Sequence, residues 1–166
     1  MRYVLTVLGL SAVLLLTGCG FQLRETADLP AVMTQTQMVV DDPYSPLARR
    51  VRTLLEQNGV TFVSGSQATA ILEIPVDEVV TSVLTIADNA RVREYRVSHT
   101  VQFRVVDVGG KELLSLQTLR QSREISFDEQ KILASSREQE YLKEDLANNL
   151  ARLMVSRLGS MSAEPG

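Results

Sequence analysis

The sequence holds one cysteine and one histidine among 166 residues. No disulfide can close within the chain, and a metal cage would have to be built almost wholly from oxygen ligands. Tryptophan is absent, and four Phe with four Tyr are too few for a platform on which bases stack. The formal charge of −3 argues against a general binder of phosphate backbones. Beyond one stretch near the N-terminus there is no long apolar run, which excludes a multi-span membrane protein. The balance of 45% apolar and 22% charged residues is that of a globular chain, and no internal repeat or low-complexity segment interrupts it. A single domain of this size can bury roughly 70% of the surface its unfolded chain exposes, so a core forms without staples.

What is present begins with an address. Met1-Arg2-Tyr3 precedes an apolar run over residues 4–16, followed by Thr17-Gly18-Cys19. A short basic start, an apolar stretch and small residues before a cleavage point describe a secretory signal. The run is shorter than the roughly 18–20 residues of a membrane span. Leu16-Thr17-Gly18-Cys19 resembles the bacterial lipobox, in which the cysteine becomes the first mature residue and carries N-acyl and S-diacylglycerol groups, palmitate among them. An ordinary signal in which the cysteine merely falls at this place is the other reading. Cleavage would leave 148 residues with 16 basic against 20 acidic side chains. One acyl chain holds a protein to a bilayer marginally and several hold it firmly. Position 20 is Gly rather than the Asp that retains such lipoproteins at an inner membrane, which points to the outer membrane.

The mature chain divides into a lipidated tether over 19–30, one domain over 31–160 and a flexible polar tail over 161–166. A short strand at 38–40 ends at Asp41-Asp42-Pro43. Ser45 at a capping position, Pro46 in the first turn and Gly59 past the end predict a helix over 47–58, with Leu47, Ala48, Val51, Leu54 and Leu55 on one stripe. Residues 60–63 form a short strand and 64–68 a loop. Over 71–86, Leu72, Ile74, Val76, Val80, Leu84 and Ile86 share one parity, spoiled by Glu78 and Ser82, and Pro75 belongs at an edge or a bulge. A turn at 87–90 leads to a clean alternation, with Tyr95, Val97, His99, Val101, Phe103 and Val105 on one face and polar residues on the other. Gly109-Gly110 makes a hairpin, from which 113–125 returns antiparallel. Ser135 with Glu138 resembles a capping box, and Leu142, Leu146, Leu150, Leu153 and Leu158 mark a long last helix. The expected fold is α+β: a two-layer sandwich with a mostly antiparallel sheet of about four strands and two helices packed on one face.

Catalytic and metal constellations are missing from this pattern. No serine stands in a Gly-x-Ser-x-Gly elbow, and an acylated Cys19 is no nucleophile. His99 on an apolar parity is either a satisfied structural histidine or an acid/base group. The paired carboxylates Asp41-Asp42 and Asp77-Glu78 are explained by a turn and a sheet without glycosidase chemistry. The chain does not read as an enzyme. Its most pointed feature is arginine: Arg91, Arg93 and Arg96 after the turn, Arg104, Arg120 and Arg123 on strands, and Lys131 and Arg137 around the start of the last helix. These residues either keep a solvated sheet face and its edges soluble or meet an anionic group, since the guanidinium fork matches phosphate.

Several short segments in order carry a family resemblance. They are Cys19-Gly20-Phe21-Gln22-Leu23-Arg24, Ser45-Pro46-Leu47-Ala48-Arg49, Asn58-Gly59-Val60, Glu94-Tyr95, and Ile132-Leu133-Ala134 running on to Glu138-Gln139. In these the chain resembles the lipopolysaccharide-assembly lipoprotein family LptE, departing from it in Gln22, where members usually show His, and in the absence of a long tail. The resemblance implies a non-enzymatic protein with no cofactor besides the lipid on Cys19. It implies a plug inside the LptD β-barrel that supports barrel assembly, binds lipopolysaccharide and helps deliver it to the outer leaflet. The family's lipopolysaccharide contacts are basic residues in the turn before the Glu-Tyr strand and just before the last helix. The matching positions hold Asp88 and Ser135, with Arg91 and Arg93 near the first and Lys131 and Arg137 near the second. Those four basic residues are the expected lipopolysaccharide site. The competing reading is an outer-membrane lipoprotein that binds another envelope polymer or protein complex.

Overall fold

Ser45, Pro46 and Gly59 bound the first helix for stereochemical reasons that the geometry makes explicit. The computed structural model describes residues 28–86, 92–126 and 132–161. Its elements are β1 (Gln35–Val40), α1 (Pro46–Gln57), β2 (Thr61–Phe62), β3 (Ala70–Ile86), β4 (Val92–Asp107), β5 (Glu112–Ser126) and α2 (Ile132–Ser160), with short 3-10 turns at Ala31–Thr34 and Gly65–Gln67. The Ser45 hydroxyl accepts from the Ala48 N–H at 3.0 Å, and Pro46 stands where the helix needs no N–H. Gly59 closes the helix at φ +87°. The N–H groups of Gly59 and Val60 donate to the carbonyls of Glu56 and Leu55, each at 3.0 Å. This is a Schellman closure, whose left-handed residue is glycine because a Cβ would be strained there.

The sheet runs β2-β1-β3-β4-β5. β1 is parallel to both β2 and β3, whereas β3, β4 and β5 are joined antiparallel. The fold is thus the expected α+β sandwich with its long ladders antiparallel, but it has five strands rather than about four and β1 is joined in parallel at one side of the sheet. The physical reason is α1. A chain that leaves β1 through a helix and returns to the same edge arrives parallel.

β3 corrects the single parity expected along it. Its register with β4 pairs Glu73 with Arg104 and then Val76 with Gln102, so one extra residue is inserted around Pro75. A bulge of this kind exchanges the two faces of the strand. Before it, Leu72 and Ile74 are buried in the core. After it, Asp77 and Val79 oppose the core-facing Val101 and His99, while Glu78 and Ser82 oppose Thr100 and Arg96 on the solvent side. Glu78 and Ser82 are therefore correctly placed polar residues on a strand that has changed face.

Both helices cover the same sheet face. The main core joins Met33, Leu47, Val51 and Leu55 to Leu72, Ile74, Val101, Phe103 and Val105, and to Leu150, Met154 and Leu158 of α2. A smaller cluster of Val97, Ile125 and Leu146, with Tyr95 and Leu142 packed on it, lies toward the other end. The α2 stripe runs through Leu146, Leu150, Met154 and Leu158 at four-residue spacing, and Leu153 turns to solvent at 43% exposure. Leu54 of α1 is likewise only partly buried. Because α2 begins at Ile132, Ser135 is the helix's fourth residue and not its cap.

Candidate functional site

Between the two apolar clusters lies a polar seam that the Pro75 bulge creates. By exchanging faces, the bulge turns Asp77 toward the helices. Its Oδ1 meets Nε2 of His99 at 2.7 Å, with only 15% and 3% of the two side chains exposed. Its Oδ2 accepts from the Ser45 hydroxyl at 2.6 Å. An ionised carboxylate only accepts, so Nε2 of His99 carries the proton. Burial by itself would raise the Asp77 pKa. The hydrogen bonds from His99 and Ser45 and the charge of His99 together outweigh burial and hold it below its ordinary value. His99 Nδ1 and Gln121 Oε1 are buried without a partner, and the two residues stand opposite each other on β4 and β5.

This order of groups decides what the seam can do. The carboxylate sits between serine and imidazole, so Asp77 accepts from both and the imidazole is not the partner of the Ser45 hydroxyl, unlike the order of a nucleophilic triad. The seam ties the start of α1 to β3 and β4, which matches the structural reading of His99. Sequence reasoning took Ser45 as a cap only and Asp77 as a turn or sheet carboxylate. A proline in a strand one residue before a change of face was the signal that linked them.

The arginines separate into two groups. Arg96 and Glu124 pair across β4 and β5 at 2.6 Å, Arg104 and Glu73 across β4 and β3 at 2.6 Å, and Arg123 reaches Asp145 of α2 at 3.9 Å. These exposed pairs contribute at most about 1 kcal/mol each, and they satisfy the three arginines as cross-strand and sheet-to-helix partners. That is the solvated-sheet reading. Arg137 is exposed and has no ion pair among the described residues. Cys19, Arg91 and Lys131 lie outside the described residues, as does the side chain of Arg93.

The topology nevertheless brings the expected loci to one end of the sheet. Ile86 pairs with Val92, and Glu94 pairs with Ser126, so the described flanks of 87–91 and of 127–131 meet there. Leu142 packs beside Tyr95 in the smaller cluster. Arg137 stands five residues nearer the helix start, about 7.5 Å further toward the same end. Arg93, the second residue of β4, and Arg137 on α2 thus belong to one end of the molecule. Among the described residues no group of three or more His, Cys, Asp or Glu is placed to hold a metal ion. None of the described helices is long and apolar enough to cross a membrane.

A family model described as "LptE: Lipopolysaccharide-assembly" matches residues 34–158, from β1 to the last turn of α2. The chain belongs to the LptE family. The LPS-assembly lipoprotein LptE of Photorhabdus laumondii subsp. laumondii is 31% identical over 164 residues, covering 95% of this chain and 85% of that protein. A crystal structure of the rare lipoprotein B from Shewanella oneidensis superposes with a TM-score of 0.67 at 27% identity, over 78% of this chain and 96% of that one. The solution structure of an uncharacterized lipoprotein B from Nitrosomonas europaea shares the fold, with a TM-score of 0.72 at 22% identity over 87% of this chain and 94% of that one. The role of the chain therefore lies in lipopolysaccharide assembly, as a lipoprotein of the Gram-negative envelope.

Proposed function

We propose that the protein is a non-enzymatic outer-membrane lipoprotein, anchored through lipid on Cys19, that plugs the lumen of the LptD β-barrel, supports its assembly and binds lipopolysaccharide on its way to the outer leaflet. The observation that carries this reading is the family match across the whole sheet and both helices. Two features of the molecule support it. The buried serine–carboxylate–imidazole chain ties the start of α1 to β3 and β4, with the carboxylate and not the imidazole on the serine. The sheet end at which β4 and α2 begin, with Arg93 and Arg137 in the sequence there, would suit an anionic sugar head, because arginine binds phosphate bidentately.

Mild detergent extraction of the lipidated chain should recover a large β-barrel protein with it. Its absence from the extract would remove the plug reading and leave a lipoprotein serving another envelope complex. Lipopolysaccharide titration of the purified protein tests the basic end. Replacing Arg91, Arg93 and Arg137 by Glu should weaken binding visibly, because charge-assisted hydrogen bonds contribute about 1.5–3 kcal/mol each. Salt should weaken the wild type, since screening acts over about 8 Å at physiological ionic strength. Unchanged binding by a folded triple variant would take the arginines out of the site, and Lys131→Glu tests the fourth expected residue in the same titration.

A further inference from the structure

The sheet has a third edge besides its two outer strands. β1 accompanies β3 only from Ala70 to Ile74, where Val40 pairs with Ile74. The chain then leaves β1 at Asp41 for α1. β3 continues to Ile86 with β4 on its other side. Past Ile74, therefore, its outward N–H and C=O groups face no strand among the described residues.

The composition of this stretch is unusual for an edge. Val79-Val80-Thr81-Ser82-Val83-Leu84 contains no charge, glycine or proline. Its pairing with β4 runs without a register shift from Val76 to Val83. Side chains of both parities are open to solvent: Val79 at 40%, Val80 at 46%, Val83 at 47% and Leu84 at 36%. Proteins guard exposed edges by shortness, charge, proline or bulges, because an unguarded edge pairs with other chains. The two outer strands obey this. β2 is two residues long, and β5 carries Glu112, Arg120, Arg123 and Glu124. Among the described residues, protection is present at both outer edges, whereas β3 has none between Glu78 and the register shift that follows Val83.

We infer that the free edge of β3 over residues 79–84 receives an extended segment of the barrel partner as an added strand. The inference rests on the barrel reading given above. A row of alternating backbone donors and acceptors selects polypeptide over sugar or acyl chain, and strand addition is the mode that uses it. Side-chain chemistry narrows the segment further. Asp41, Asp42 and Glu78 are exposed and flank the end where β1 departs, while the following residues are apolar or hydroxylic. The complementary segment is apolar over four or five residues and carries Lys or Arg at the end that meets Glu78.

The test places a photo-activated crosslinking residue at each position from 79 to 84 of the full-length lipidated protein in its own envelope, with Gln117 and Thr118 on β5 for comparison. An added strand touches side chains of both faces, so odd and even positions should both crosslink to the same short segment of the barrel. Crosslinks at one parity only would mean docking on a face and would overturn the inference. So would crosslinks to a second copy of this chain. Crosslinks confined to β5 while the barrel still co-purifies would sink the edge and leave the barrel reading standing, whereas failure to recover any barrel removes both. A Val80→Lys/Val83→Lys variant should lower recovery of the barrel roughly tenfold or more, because added-strand pairing would bury an unpaired ammonium. Wild-type recovery by a variant with an unchanged thermal midpoint overturns the inference. If that variant fails to fold, the crosslinking pattern decides.

Discussion

Asp77→Ala should destabilise the protein by about 2–4 kcal/mol at neutral pH, and the figure can be assembled from the seam. The substitution leaves the proton on Nε2 of His99 without an acceptor in a side chain only 3% exposed. An unsatisfied buried donor costs about 1–3 kcal/mol. The Ser45 hydroxyl also loses its acceptor, about 0.5–1.5 kcal/mol for an ordinary hydrogen bond. Its cap on Ala48 survives, since there the oxygen is the acceptor. Asp77 retains some exposure, so water can reach the vacated place, which keeps the sum below the upper limit for breaking a buried ion pair. Asp77→Asn preserves an acceptor toward His99 and should cost less. Urea denaturation of the purified wild type and both variants at pH 7 provides the comparison. A loss below about 0.5 kcal/mol for Asp77→Ala would mean that the carboxylate is solvated and that the seam does not hold α1 to the sheet.

The same group gives a signed pH dependence. Its pKa is lower in the fold than in an unfolded chain, so near that range the unfolded state binds more protons and stability rises with pH. The contribution of Asp77 is complete above the ordinary carboxyl value of about 3.9. It is lost as pH falls through the depressed value of the folded state. Asp77→Asn should therefore flatten the acid limb below about pH 4 and leave the slope between pH 5 and 8 alone. An acid limb identical to that of the wild type would contradict the hydrogen-bonded arrangement.

Leu146→Ala should cost about 2–5 kcal/mol as a fully buried leucine, whereas Leu153→Ala should stay within about 0.5 kcal/mol; equal losses in chemical denaturation would misplace the buried face of α2. Gly59→Ala should cost about 1–2 kcal/mol, because φ is +87° there, with the thermal midpoint as readout. A neutral result would show that the α1 closure relaxes to another conformation. Cys19→Ala should block lipoprotein-type processing and leave the chain unprocessed or soluble in the periplasm, and a variant that still fractionates with the outer membrane in cells lacking the barrel would refute the anchor.

How much of the fold could be read depended on whether a pattern was purely local. The α1 boundaries followed from Ser45, Pro46 and Gly59 because capping involves only neighbours in the chain. β4 was legible because its alternation is unbroken and both its neighbours are long strands. The α2 stripe was legible in kind and mistaken in one member. Leu153 and Met154 both fit a helical period, and only the position of the sheet decides that Met154 is buried and Leu153 exposed. The strand count and the parallel pairing of β1 required knowledge of which strand neighbours which, and no residue in β1 or β2 encodes that by itself.

β3 shows most clearly why the candidate site was less legible than the fold. A single alternation along it is violated by Glu78 and Ser82. One inserted residue at Pro75 removes the conflict and simultaneously produces the three features with functional weight. It turns Asp77 inward, where His99 and Ser45 complete its hydrogen bonds. It divides the interior into a large cluster and a smaller one that lies toward the end of the sheet where β4 and α2 begin. It stands where β1 stops accompanying β3, so the strand emerges from the bulge with a bare edge. Each of these depends on contacts between residues more than twenty positions apart, while the sequence displays only the proline. The arginines follow the same logic in reverse. They are conspicuous in the sequence, yet Arg96, Arg104 and Arg123 are occupied by carboxylates brought to them by strand and helix packing. Conspicuous charge therefore identified sheet maintenance at these three positions, and a misplaced proline identified the architecture of the site.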